Sequence, residues 1–332
     1  MIALAVGCQP PAILIAGTGK YDQQGYQDGI GKNARFRNPR IAFSEQAYSG
    51  LFIADQGNHR IRLMDDQGQV TSFAGTGKPN ALAIAANSMQ ALNSDMYLPG
   101  AITVKEKKLY FTSPGCIRSI DLTAQQAELR IKTVFGTCLT ESDLQELNKG
   151  SSDPDLRKTK DPFSLSSAQN IELDSQSNIY VRTGRQVSRF TQSGSADTIN
   201  QVFNGAKGIG PGTHGNMNVF YEQYEGLPGG RPSVVDVSEI LPDKSVREIK
   251  SISFGGIVAF AGDNKGNYYA VVHHAFQDKI FKIDKNLNAF EIGSVPQGGD
   301  TPVSIAVDSI NNNLFISGVA TIYKLKLKGS EL

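Results

Sequence analysis

The chain holds 332 residues, 39% hydrophobic and 20% charged, a balance that describes a folded globular protein rather than a disordered one. With 33 basic against 32 acidic side chains its formal net charge is +1, so no overall field draws it onto nucleic acid or an anionic membrane. No apolar run reaches the roughly 18 residues of a membrane-spanning helix, and 34 glycines suit many tight turns between short strands.

Residues 1–11 stand apart from the rest. The apolar run MIALAVG leads into Cys8, then Gln9, Pro10 and Pro11. Small residues ahead of a cysteine resemble the cleavage site of a bacterial lipoprotein. On that reading Cys8 carries lipid and the chain is exported, either periplasmic or anchored to a membrane. The run lacks a basic n-region and is short for an h-region. The alternatives are a start upstream of Met1, or the mildly apolar terminus of a cytoplasmic protein ahead of its first strand.

From residue 12 onward the chain repeats itself. Ala16-Gly-Thr-Gly-Lys20 recurs as Ala74-Gly-Thr-Gly-Lys78, with a weaker copy at Phe135-Gly-Thr-Cys138, each after a strand-like run. An X-Pro step precedes the next strand at Pro39, Pro99, Pro162 and Pro302. The clearest unit spans residues 36–77. Arg40-Ile-Ala-Phe43 and Gly50-Leu-Phe-Ile-Ala54 read as strands, the turn Asp55-Gln-Gly-Asn-His-Arg60 leads into Ile61-Arg-Leu-Met64, and a hairpin turn delivers Val70–Ala74. Four short strands separated by Gly, Asn and Asp turns are one blade of a β-propeller.

The stretch Leu51-Phe-Ile-Ala-Asp-Gln-Gly-Asn-His-Arg-Ile61 resembles the core of the NHL-repeat family, and Asp28-Gly-Ile-Gly-Lys-Asn-Ala-Arg-Phe-Arg-Asn-Pro39 resembles the lead-in of its bacterial members. The resemblance implies a six-bladed ring, and counting agrees: 36–77, 96–138, 161–205, about 210–255, 256–298 and 300–329. The last unit has only three strands, and residues 12–16 supply the fourth. The predicted fold is therefore all-β, a six-bladed propeller of four-stranded antiparallel blades over residues 12–329, closed by its N-terminal strand.

Cys116 and Cys138 flank a predicted strand pair whose open end brings them opposite each other. A cross-strand disulfide in an oxidising compartment and two ordinary buried thiols both fit that placement.

Ligands of propellers gather at one mouth of the channel, where loops from every blade converge. The residues expected there are Asn38, Asp55, Asn58, His59 and Arg60 in the first blade, Arg118 in the second, Arg182 and Arg185 in the third, and His273 and His274 in the fifth. His59 also reads as part of a structural turn held by Asp55 and Asn58, and period-two alternation sends His273 and His274 to opposite faces. Asp153 and Asp155 lie in a polar connection, residues 140–160, that reads as a short helix and solvated loop. The glycine-rich segment 205–232, with His214, Phe220, Tyr221 and Tyr224, reads as a divergent blade with a long loop, or as a loop folded over one mouth. No P-loop, nucleophile elbow or ligand-spaced metal motif is present.

The sequence therefore leads to the expectation of a non-catalytic binding module in the bacterial envelope, with a protein, peptide or small-molecule ligand, no nucleic acid and no cofactor. The alternative is a metal-dependent propeller lyase or hydrolase holding calcium or zinc in the central channel. There His59, His214 and one of His273 and His274 would be reminiscent of the propeller lyases that cleave hydroxyglycine peptides.

Overall fold

The computed structural model describes residues 10–45, 48–79, 90–148, 161–184, 186–199, 205–212, 215–223, 234–254, 256–273 and 277–328. Cys8, Asp153, Asp155, Arg185, His214, Tyr224 and His274 lie outside them.

Six antiparallel sheets stand in a ring. Their innermost strands are Pro39–Ser44, Ile102–Lys105, Ala168–Leu173, Ala206–Pro211, Ile257–Gly262 and Ser304–Asp308, and each packs beside the inner strand of the next blade. Second strands such as Gly50–Asp55, Ile179–Thr183 and Tyr268–Val272 are buried at every position. Both of their faces meet a neighbouring strand or blade, so the in–out alternation of a half-wet strand disappears. The outer strand Ile131–Gly136 is mostly exposed, with Ile131 its one buried residue.

Asp–Asn clasps set the hairpins that end several inner or third strands. Asp174, Asp263 and Asp284 each accept the backbone N–H of the asparagine four residues on (Asn178, Asn267 and Asn288) at 2.8 Å, and its side-chain amide at 2.8, 2.9 and 3.1 Å respectively. A side chain that completes the turn itself makes these short hairpins locally determined.

The N-terminal strand Ile13–Gly17 completes the sixth blade, antiparallel to Thr321–Lys326, with Ile13 opposite Lys324 and Gly17 opposite Thr321. Gly17 has φ +87°, and a Cβ there would stand 2.2 Å from the Ala320 carbonyl oxygen, so only glycine fits. One residue ahead of the strand, Ala12 donates its N–H to the Ser294 carbonyl at 2.8 Å. The seam is thus tied to the fifth blade as well.

Two features refine the reading from sequence. The first blade carries a fifth strand, Gly29–Ile30, outside Gln69–Ala74. The fourth blade starts at Ala206 rather than near Gly210. Its inner strand was obscured by Gly208 and Gly210, and those glycines answer to the next blade. A Cβ on Gly208 would fall 2.2 Å from the Phe260 ring, and one on Gly210 would fall 2.8 Å from Tyr268.

Cys116 and Cys138 form a disulfide, Cα atoms 4.7 Å apart, which resolves the choice left open by the sequence. The connection after it opens with the helix Glu141–Asn148, begun by a reciprocal cap: Asp143 N–H donates to Thr140 Oγ1, and Thr140 N–H donates to Asp143 Oδ2. Among the described residues no helix is long and apolar enough to cross a membrane.

Candidate functional site: the central channel

In a radial blade the inner strand is a sheet edge, so backbone groups face the channel and need partners. Neighbouring blades provide several. Ser304 Oγ accepts the Ile41 N–H at 3.1 Å, Asn170 Oδ1 the Ile209 N–H at 2.8 Å, and Glu222 Oε1 the N–H groups of Gly256 and Ile257 at 2.6 Å each. The remaining open space is about 380 Å³ and touches the inner strands of all six blades, a volume suited to a small molecule.

One end of this space is cationic. Arg40, at the start of the first inner strand, donates Nη1 to the Gln169 carbonyl of the third blade at 3.3 Å. It thus links the first blade to the third, past the second, whose inner strand follows Gly100 and Ala101. Arg182 donates Nη1 to the Ala206 carbonyl at 2.8 Å and to Gln169 Oε1. Arg182 is only 8% exposed, and the Nε atoms of both arginines are buried without a partner. Among the described residues neither guanidinium meets a carboxylate. Burial brings Arg40 down to about 10; burial, then the charge of Arg40, brings Arg182 down to about 9. Both remain charged at neutral pH.

Glu172 lies three residues further along the same inner strand as Gln169, about 10 Å deeper at strand rise. It lines the open space and has no hydrogen-bond or ion-pair partner among the described residues. Desolvation pushes its carboxyl up to about 8, against the pull of Lys105 from the second blade. A carboxyl with that value is mostly protonated at pH 7 and close to giving up its proton. At the far end the acids are already engaged: Glu45 accepts Ser309 N–H at 2.9 Å, Glu106 accepts Ser177 Oγ at 3.2 Å, and Asp263 holds its hairpin clasp.

Of the residues singled out from sequence, Arg182 lines the channel. The first-blade group forms a network of its own. Asp55, fully buried, accepts from Arg37 N–H at 2.8 Å, from Asn58 Nδ2 at 2.9 Å and from Arg62 Nη1 at 2.9 Å. Asn58 also donates to the Gly25 carbonyl, Asn38 to Gln56 Oε1, and Arg60 to the carbonyls of Gly75 and Thr76. His59, half-buried at φ +55°, accepts Leu98 N–H on Nδ1 at 3.2 Å and stacks on Tyr97, and burial lowers its pKa. Arg118 is 1% exposed, packed over Phe111. His273 sits exposed on the surface, its Nδ1 2.8 Å from Asp278 Oδ1. Arg40, Gln169, Lys105 and Glu172 were not foreseen. The available signal was a polar Gln-Asn-x-Glu run in a strand flanked by buried Ala168, Ile171 and Leu173.

A divalent metal does not fit the described channel. No three His, Cys, Asp or Glu side chains are grouped there to hold one among the described residues. The unneutralised arginines at one end and Lys105 beside Glu172 would repel a cation.

No protein-family model matches this chain, and neither does any curated protein sequence. The fold does match solved structures. One is a gluconolactonase from Xanthomonas campestris (10% identity, 97% of this chain and 99% of that one, TM-score 0.55). Another is a virginiamycin B lyase from Staphylococcus aureus (12%, 88% and 96%, TM-score 0.50). A third is a protein of unknown function from Bacteroides thetaiotaomicron (14%, 96% and 76%, TM-score 0.58). The chain thus shares a six-bladed propeller fold with gluconolactonase-type enzymes. This corrects the expectation of a non-catalytic binding module: the gluconolactonase and the lyase that share the fold are enzymes.

Proposed function

We propose that the protein is a bond-cleaving enzyme, a hydrolase or lyase, whose active site is the central channel and whose proton-transferring group is Glu172. The observation that carries this reading is a carboxyl without a partner among the described residues, poised near 8, facing an open space of small-molecule size. In a hydrolytic cycle water arriving along the channel adds to the substrate carbon. The protonated Glu172 gives its proton to the leaving oxygen as that oxygen's bond to the carbon breaks, and the surplus proton of the added water returns to the Glu172 carboxylate. Lys105 stabilises the carboxylate between the two transfers, and the arginines stabilise negative charge on the substrate. The enzymes named above share this fold, which supports the class of activity; a fold by itself does not name a substrate. The NHL-type sequence at residues 51–61 and an exported location belong to the same proposal, and the disulfide supports the latter.

A panel of small lactones and esters, with and without a carboxylate, tests the proposal. Turnover should follow the ionisation of one group near pH 8, and Glu172→Gln should lower kcat by about 10²–10⁴-fold. Undiminished turnover by Glu172→Gln would contradict it.

A further inference from the structure

We infer that Arg40, Arg182 and Gln169 form a clamp at the channel mouth for an oxyanion, a carboxylate or phosphate group borne by a small molecule. The inference rests on the channel being the active site and adds the charged group that its substrate carries.

Three observations lead to it. The first is an electrostatic imbalance. Two guanidiniums lean on one residue, Gln169, one through its carbonyl and one through its side chain. Burying a cation without a carboxylate partner is costly, and a second beside it adds repulsion. Glu172, on the same strand, does not pair with either arginine.

The second is donor supply. Among the described residues Arg40 uses one N–H and Arg182 only its Nη1 in contacts, and both Nε groups are buried without an acceptor. The Gln169 amide has accepted at Oε1, which leaves its NH₂ group to donate. The Nη N–H donors of the two arginines that have no acceptor among the described residues, beside an open cavity, match the bidentate chemistry by which arginine holds carboxylates and phosphates.

The third is placement. Both arginines line the cavity that Glu172 lines, with the acid about 10 Å further along the strand. An anionic head held at the mouth would direct the rest of a small molecule inward, toward the carboxyl. Positioning of this kind is what an anchoring arginine pair contributes to catalysis.

Inorganic phosphate and acetate serve as probes, titrated by calorimetry and by thermal melting against sodium chloride of equal ionic strength. The wild-type protein and Glu172→Gln should bind alike, with a melting temperature that rises with probe concentration. Arg40→Gln should bind roughly tenfold more weakly or worse, and Arg40→Lys should retain part of the affinity because it keeps the charge but loses the fork. Gln169→Ala, at an exposed position, gives a second reading should the arginine variant fold poorly, and it should also bind more weakly. Absence of binding by the wild type, or equal binding by wild type, Arg40→Gln and Gln169→Ala, overturns the clamp. Anion binding that persists while Glu172→Gln turns over every substrate of the wild type would uphold the clamp and refute the role of Glu172.

Discussion

Removal of residues 12–19 is expected to leave a chain that does not form a stable monomer. Among the described residues the strand Ile13–Gly17 is the only partner of the outer edge of Thr321–Lys326. Without it that edge shows unpaired N–H and C=O groups. It also uncovers Ile322, Tyr323 and Leu325, each no more than 3% exposed in the intact ring. Ala12 and Ala16 sit in two separate core clusters, one with the fifth blade and one with the first, so their loss loosens both seams. Several backbone hydrogen bonds at about 1 kcal/mol each, with the buried apolar surface, amount to about 5 kcal/mol. That is as large as the net stability of many domains. An unpaired, apolar strand edge is also a template for association between chains. Circular dichroism melting with size-exclusion chromatography checks this: aggregation or loss of a cooperative transition is expected. A monomer melting within a few degrees of the full chain would contradict it.

Arg62 and Arg118 occupy the same position in successive blades, and replacing each by methionine should change stability in opposite directions. Both are the third residue of a third strand, opposite the fourth residue of the second strand (Ile53 and Phe111). In the first blade the sixth residue of that second strand is Asp55, and Arg62 is fully paired. It donates to Asp55 at 2.9 Å, to Asp28 at 2.8 Å, and to the carbonyls of Arg35 and Gln27. Burial already pushes the Asp55 carboxyl up, and Arg62 opposes that push. Taking Arg62 away strands a buried acid, at a cost of about 3–5 kcal/mol. In the second blade the residue equivalent to Asp55 is Ser113. Arg118 there has no hydrogen-bond or ion-pair partner among the described residues, and its Nε and Nη1 are buried, as are the unpartnered hydroxyls of Thr112 and Ser113. Its contact with the Phe111 ring, 5.6 Å from the centroid, contributes about 2 kcal/mol. The desolvation of a buried cation is several kcal/mol. Arg118→Met is therefore expected to stabilise by about 1–4 kcal/mol, and Arg62→Met to destabilise, in urea denaturation with unchanged m-values. Equal losses in both variants would show that Arg118 is paired after all.

What could be read in the sequence was what neighbouring residues decide among themselves. The Asp55–Asn58 turn closes within four residues. The disulfide joins strands of one hairpin, and the ring closure followed from a last blade one strand short. What could not be read depends on contacts across the ring. Gly208 and Gly210 read as loop because the rings that require them, Phe260 and Tyr268, belong to the next blade. The channel cluster was hidden more deeply. Arg40 meets Gln169 across 129 residues of chain, and only the curvature of six blades brings them together. Nothing within the local sequence of either residue carries that information.

Glu172 holds the functional reading together, and its ionisation can be followed directly. In protein labelled with ¹³C at glutamate carboxyl carbons, the resonance absent from Glu172→Gln identifies this side chain, and its pH titration gives the pKa. Because the folded value lies above the ordinary 4.5, the folded protein retains a proton that the unfolded chain loses. Stability should therefore fall as pH rises from 4.5 to about 8, more in the wild type than in Glu172→Gln. A midpoint near 8 is the expected result; a midpoint near 4.5, the value of an ordinary solvated glutamate, would contradict a proton-transferring role for the channel at neutral pH.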